Sequence, residues 1–382
     1  MHLSYLAGAE PRSIAEKLLR INWAALALAA LIAVIGVASL YSVAGGTFSP
    51  WAERHAVRFV ACTAMVLVVA MLPLRLWLGI AYPAYFLALG LLALVPFAGV
   101  EAMGARRWLD AGAATIQPSE LMKVALGLML ARYYQWLPPE RISRPLWVAL
   151  PLLAIAVPVA LTLKQPDLGT AALFAIVGLA LMFLAGVSAY YFLAGGALAV
   201  VAMPIVWNNL HGYQRRRIEI FLDPDQDPLG AGYHIAQSKI ALGSGGASGK
   251  GFMQGTQSQL DFLPEKHTDF IFTMFAEEWG FVGGAVLLAL YAALLVTIFR
   301  LTLTCGHQFG RIVIASAGLV LFTYCFINVA MVTGLIPVVG VPLPLVSYGG
   351  TAMATMMFAL GLALCAHVNR TENIRRVDMG WV

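Results

Sequence analysis

The chain has 382 residues, of which 60% are hydrophobic and 11% charged, with 24 Lys and Arg against 19 Asp and Glu and a formal net charge of +5. The charged share is less than half the roughly 25% of a soluble globular chain. A mean hydropathy of +0.81 leaves no material for a charged shell around a core of this size, which excludes soluble and disordered chains. The basic residues are spread over short loops, so the excess positive charge is topological and no nucleic-acid partner is expected.

Up to Asn22 the chain carries Glu10, Arg12, Glu16, Lys17 and Arg20. The apolar run that follows is longer than a signal-peptide core and is read as a retained first span. A span takes about 20 residues, and apolar runs fall at 22–44, 57–73, 76–98, 119–136, 147–163, 168–186, 188–208, 269–299, 310–333 and 350–368. They predict an all-α integral membrane protein of about ten transmembrane helices, with one long extracytoplasmic loop between helices 7 and 8. The divisions are an N-terminal segment 1–21, helices 1–7 over 22–208, the loop 209–268, helices 8–10 over 269–369 and a tail 370–382. The helix beginning near Thr268 is long enough to project beyond the bilayer.

With an even number of spans both ends share a side. That side holds Arg12, Lys17, Arg20, Arg75, Arg132, Arg141, Arg144, Arg300, Arg311, Arg370, Arg375 and Arg376. The short segments of the other side hold only Arg54, Arg58, Arg106, Arg107, Lys123 and Lys164. The positive-inside rule then puts both termini in the cytoplasm and the long loop outside. ATP and nucleotide sugars are cytoplasmic, so chemistry on that loop must use energy already attached to its substrate.

Several patterns fail on inspection. The run Gly243 to Gly251 lacks the Gly at 244 and the Ser or Thr at 251 that a phosphate loop needs, leaving a flexible loop or backbone amides near a phosphate or sugar. Asp223, Asp225 and Asp227 resemble a calcium loop, but Pro228 and His234 stand where Gly and Glu are required. Cys62, Cys305, Cys325 and Cys365 have no CxxC spacing, so neither a zinc site nor a disulfide framework follows. Arg215 to Arg217, just outside a span, suit a phospholipid or pyrophosphate contact.

Charges at membrane depth say more, because an ionised group there persists only with a partner or a polar cavity. Glu120 and Lys123 share one helix face after the start signal Pro118-Ser119, as an ion pair or as part of a polar cavity. Lys164 and Asp167 repeat the theme as anchor or site. Thr268 or Asp269 could be a helix cap; equally, Asp269 at the outer face, near basic loop groups, is a carboxylate whose pKa can be displaced. At least one of Glu277 and Glu278 should face protein. The uncharged loop Pro337 to Gly350, with Ser347 and Tyr348, must line a cavity or pack on protein.

At these residues the chain resembles the SEDS family of bacterial cell-wall proteins, and its elongation branch more than its division branch. The resemblance runs along essentially the whole ten-span region. It rests on Arg106-Arg107-Trp108-Leu109-Asp110, Gln117-Pro118-Ser119-Glu120, Gln165-Pro166-Asp167-Leu168-Gly169-Thr170, the segment Gly255 to Asp269 with Glu265-Lys266-His267-Thr268, and Pro342 to Gly350. It implies a peptidoglycan glycosyltransferase of the bacterial cytoplasmic membrane, active on its extracytoplasmic side, that polymerises lipid II as both donor and acceptor. It also implies a class B penicillin-binding protein as partner, with other membrane proteins of the elongation complex.

The family's proposed catalytic aspartate maps to Asp269, and supporting residues to Glu120 and Lys123. Lipid II carries its own pyrophosphate leaving group. Inverting transfer therefore needs one general base, assigned to Asp269, and positive charge from among Arg106, Arg107, Lys123, Arg216, Arg217, Lys239 and Lys250. No cofactor is required on this reading; a divalent ion of unknown identity is the one candidate addition. The alternatives are a lipid II transporter, or flippase, and a non-catalytic scaffold.

Overall fold

The structure is a computed structural model describing residues 13–102, 105–110, 112, 115–209, 212–223, 227, 230–259, 263 and 265–374. Glu10, Arg12, Pro224, Asp225, Pro228, Pro264, Arg375, Arg376 and the side chain of Arg217 lie outside the described residues.

A short helix α1 (Ile14–Arg20), capped by Ser13, leads into α2 (Trp23–Val43), where the Asn22 side chain accepts from the amide of Ala25 at 2.9 Å. Then come α3 (Trp51–Met71), α4 (Leu74–Ala98), α5 (Pro118–Trp136), α6 (Pro145–Lys164), α7 (Leu168–Leu184) and α8 (Ala189–Asn209). The segment after α8 folds as α9 (Gly212–Leu222), α10 (Ala231–Ser244) and the single turn α11 (Thr256–Gln259). The chain closes with α12 (Ile271–Thr304), α13 (Gln308–Val332) and α14 (Gly350–Val368).

Seven helices among the described residues are long and apolar enough to cross a bilayer: α2, α3, α4, α6, α12, α13 and α14. The apolar helix α7 and the apolar stretch Ala189–Ile205 of α8 are shorter, and α5 carries Glu120, Lys123 and Arg132 along its length. Together they match the expected multi-span helical protein. The main shift is in α3, which begins at Trp51 and takes in Glu53, Arg54, His55 and Arg58. An apolar window rejects those charges, but His55 is buried and donates to the Leu345 carbonyl at 2.9 Å.

α13 is the centre of the bundle, packing on α5, α7, α12 and α14. Of its most apolar window 78% is buried, against 28% for α3 and for α6, whose outward faces are left to lipid. Close approach is steric in origin: a side chain at Gly127 of α5 would collide with Ser316 of α13.

Loops gather at one end of the bundle. A small antiparallel sheet, β1 (Val100–Ala102), β2 (Ala105–Asp110) and β3 (Thr115–Ile116), joins α4 to α5 there, where the sequence suggested only a loop. The 212–259 helices and the 333–349 loop lie at the same end. The first turns of α12 are set off from its span by a break at Gly280, whose φ of 66° and ψ of −167° suit glycine.

That break is closed by the glycine-rich run. Phe281 and Val282 donate to the carbonyls of Gly246 and Ala247 (2.9 and 3.1 Å), while the amides of Lys250 and Gly251 donate to those of Glu277 and Glu278 (3.1 and 3.0 Å). Residues 245–251 are thus a splint that satisfies the orphaned groups of a broken helix. They are not a free loop, and the amides of Gly249, Lys250 and Gly251 already have acceptors. All four cysteines are free and buried.

Candidate active site

Asp269 lies in the turn 265–270 that precedes α12, outside the membrane-spanning segment. The turn is held from three directions. Asn328 of α13 donates to the carbonyls of Asp269 (2.9 Å) and Val341 (2.7 Å). Ser347 donates to the Thr268 carbonyl at 2.6 Å and accepts from the Leu343 amide at 2.7 Å, and the Tyr348 amide donates to the His267 carbonyl at 2.9 Å. The Thr268 hydroxyl is used locally, donating to the Glu265 carboxylate at 2.7 Å.

Neither Thr268 nor Asp269 caps the helix. Phe270 occupies the cap position, and no side chain bonds the first amides there. The Asp269 carboxylate is free of that duty, and none of the described residues donates a hydrogen bond to it. It sits over Gly340, where an added Cβ would come within 3.3 Å of Oδ2 and where φ is 70°. Burial, reinforced by the Glu265 carboxylate, pushes its pKa up to about 7; Arg107 pulls it down and Asp167 raises it.

Arg107 comes from β2. Its guanidinium donates to the carbonyls of Pro166 (2.6 Å) and Gln165 (3.4 Å) and lies 3.9 Å from the Asp167 carboxylate. Asp167 is itself an anchor, capping α7 by accepting from the Thr170 amide (3.2 Å) and hydroxyl (3.0 Å). Strand alternation separates Arg106 from its neighbour: it pairs at 3.8 Å with Glu101, both exposed. The sequence grouped the two arginines, and of the two it is Arg107 whose charge acts on Asp269.

Glu120 and Lys123 form the expected i,i+3 pair, at 2.5 Å and fully buried. The Tyr324 hydroxyl of α13 completes it, contacting Lys123 Nζ and donating to Glu120 at 3.0 Å. Both ions are satisfied inside the bundle, so Lys123 is committed to a carboxylate. A single tyrosine in an apolar helix carries no spacing signal, and the sequence did not reveal it.

The loop cations divide in the same way. Lys250, grouped in the sequence with the leaving-group cations, bonds Glu277 at 2.6 Å and Thr256 at 2.8 Å. Glu277 also accepts from the Thr256 hydroxyl (3.0 Å) and from the amides of Thr256 (3.1 Å) and Gln257 (3.2 Å). Glu278 accepts from Ser42 of α2. Both glutamates are buried in protein, where at least one was expected. Arg216 lies 3.9 Å from Asp227, while Lys239 on α10 and Lys164 at the end of α6 are exposed.

A cation that the sequence counted only for topology joins the site. Arg58 of α3 lies 4.9 Å from the centre of the Tyr348 ring, Tyr348 lies 6.0 Å from His267, and His267 stacks on Trp51 at 4.5 Å and 9°. Burial pushes the His267 pKa down, opposed by Glu265. Among the described residues no three His, Cys, Asp or Glu side chains converge to hold a metal ion.

The FTSW_RODA_SPOVE family of cell cycle proteins matches residues 16–372. The peptidoglycan glycosyltransferase MrdB of Escherichia coli strain K12 is 47% identical over 311 residues, covering 80% of this chain and 82% of that protein. A chain from a solved peptidoglycan synthase complex, described as coordinating polymerization and crosslinking, superposes with a TM-score of 0.80 at 35% identity over 92% of this chain and 99% of that one. The rod shape determining protein RodA of Thermus thermophilus does so with a TM-score of 0.69 at 29% identity over 92% and 98%. The match takes in every helix from α2 to α14 together with the turn that holds Asp269, and the chain belongs to the FtsW, RodA and SpoVE family, the SEDS proteins.

Proposed function

We propose that this chain is a peptidoglycan glycosyltransferase that polymerises lipid II at the loop-rich end of the bundle, on the extracytoplasmic face of the bacterial inner membrane, with both termini inside. The observation that carries the reading is the Asp269 carboxylate: it accepts no hydrogen bond from the described residues, its pKa is raised to about 7, and it lies in the field of Arg107. A base whose pKa lies near the working pH combines a useful deprotonated fraction with enough basicity to take a proton.

On this reading Asp269 accepts the proton of the acceptor sugar's 4-hydroxyl as that oxygen attacks the donor's anomeric carbon. The new C–O bond forms on one face while the bond to the lipid pyrophosphate breaks on the other. Configuration inverts from α to β, and the electron pair leaves with undecaprenyl pyrophosphate. No covalent sugar intermediate and no second catalytic carboxylate are needed. Positive charge for the departing pyrophosphate comes first from Arg107; Arg58, Arg216 and Lys239 supply the wider field. Glu120, Lys123 and Tyr324 hold α5 against α13 below the site.

A cross-linking partner, a class B penicillin-binding protein, fits the relative that works within a complex for polymerization and crosslinking. The test is to incubate the purified chain with labelled lipid II. Glycan strands support the reading. Translocation of lipid II across vesicles without strand formation would replace it with transport.

A further inference from the structure

The Asp269 carboxylate lies between two walls: the turn 265–270, which carries it, and the loop 333–349, which brings Gly340 so close that an added Cβ would lie 3.3 Å from Oδ2. Ser347 and Tyr348 join the walls at Thr268 and His267. At Asp269 itself the join comes from another element. Asn328, near the end of α13, donates from one amide group to the Asp269 carbonyl at 2.9 Å and to the carbonyl of Val341, the neighbour of Gly340, at 2.7 Å. Among the described residues it is the one side chain from outside the two walls that bonds both.

The orientation of that amide follows from its neighbours. Turned over, it would set Oδ1 against two carbonyl oxygens, so both N–H groups must face the walls. Oδ1 is then left without a hydrogen-bond partner among the described residues, in a side chain that is 0% exposed. An orphaned buried acceptor costs free energy that a leucine in the same space would not. Its two donors, and not its packing, account for the amide at this position.

The helix behind it is fixed. α13 is the centre of the bundle, and Tyr324, four residues earlier and so on the same face, donates to Glu120 of the buried pair at 3.0 Å. We propose that Asn328 is the positioning residue of the general base: by bonding both walls from a fixed helix, it holds Gly340 against the Asp269 carboxylate and keeps water away from it. The inference rests on the reading of Asp269 as the base of sugar transfer, and it gives Asn328 no contact with substrate.

The burial that this clamp maintains is the largest cause of the raised Asp269 pKa of about 7. The charged groups acting on the carboxylate are Glu265 of its own turn, Arg107 of β2 and Asp167 at the start of α7. Asn328→Leu leaves all three in place, nearly preserves the side-chain volume and removes both donors. With the walls untied, water reaches the carboxylate and its pKa falls toward the ordinary 3.8.

Two readouts on the full chain test the clamp. With labelled lipid II, Asn328→Leu should lower kcat by about ten- to a hundredfold, the scale of an ångström-sized misplacement, and leave KM within about twofold. It should also move the acidic limb of the pH–rate profile down by about one unit or more, as relief of burial requires. The second readout needs no turnover. The gain in thermal stability at pH 8 on Asp269→Asn reports the raised pKa of the carboxyl, and in the Asn328→Leu background that gain should shrink to about half or less. Asn328→Ala, which demands less space, carries the same expectations where the leucine variant does not fold. A limb that stays in place while the rate falls only with the amount of folded protein, or an undiminished gain on Asp269→Asn, would overturn the proposal. A parent that makes no strands, with a stability gain that still shrinks, would support the clamp and overturn the glycosyltransferase reading instead.

Discussion

Two carboxylates flank the first turns of α12, and their surroundings are opposite. Glu277 is fully buried and collects a lysine, a hydroxyl and backbone amides. Asp269 receives no hydrogen bond from the described residues and is surrounded by burial and by a second carboxylate, with Arg107 as the opposing cation. In the first, ionisation is matched by donors and the charge builds structure, closing the break at Gly280. In the second, ionisation is left unmatched by donors among the described residues, the condition that the proposed proton transfer requires. Charge type alone does not separate the two carboxylates at this helix; the completeness of the hydrogen-bond shell does.

The largest effect expected from this contrast is on Asp269. Asp269→Asn should reduce lipid II polymerisation by about two to four orders of magnitude while the protein folds normally. Its stability should diverge from the parent in a defined direction. A carboxyl raised from 3.8 to about 7 in the folded state binds more protons folded than unfolded between those values, so its contribution falls as pH rises through that window. The Asn variant should therefore equal the parent below about pH 4 and exceed it in thermal stability at pH 8. A variant less stable at pH 8 would show that Asp269 is structural.

Glu277→Gln should do the reverse. Removing one member of a buried pair costs about 3 kcal/mol, somewhat less here because Lys250 is 28% exposed. Thermal unfolding and proteolysis in the 245–259 segment should report the loss, with activity falling only in proportion to folded protein. A variant of normal stability and abolished turnover would place Glu277 in the chemistry instead.

A smaller effect tunes the base. Arg107 lowers the Asp269 pKa and Glu265 raises it, so Arg107→Gln should move the acidic limb of the pH–rate profile to higher pH and Glu265→Gln to lower pH. Shifts of the same sign for both would contradict the arrangement. The smallest change is expected for Arg106→Gln, whose exposed pairing with Glu101 contributes at most about 1 kcal/mol. Polymerisation within about twofold of the parent would separate Arg106 from its neighbour, and a loss matching that of Arg107→Gln would not.

Most of the fold was legible because lipid imposes a length and a composition on each span, and the apolar run at 350–368 coincides with α14. The Glu120–Lys123 pair was legible because charge is costly at membrane depth, whereas Asp269 drew notice as a carboxylate at the start of a long apolar helix. What stayed hidden depends on contacts distant in the chain. Tyr324, Asn328 and Ser42 act through partners on other helices, and no local spacing announces them. The hairpin that turns Arg107 inward and Arg106 outward is set by pairing with β1, and α3 was shortened by charges that the structure places in its first two turns. The run 243–251 misled for a related reason: glycine reports that backbone comes close to something, without saying that the something is another helix.

The most direct test of the central claim is the pH dependence of kcat/KM for lipid II polymerisation by the purified protein, which reports ionisations of the free enzyme. An Asp269 base with a pKa of about 7 gives a rate that rises with pH below neutrality and levels off above it, and that limb disappears in Asp269→Asn. A profile flat from pH 5 to 8, or a limb that survives the substitution, would contradict the account.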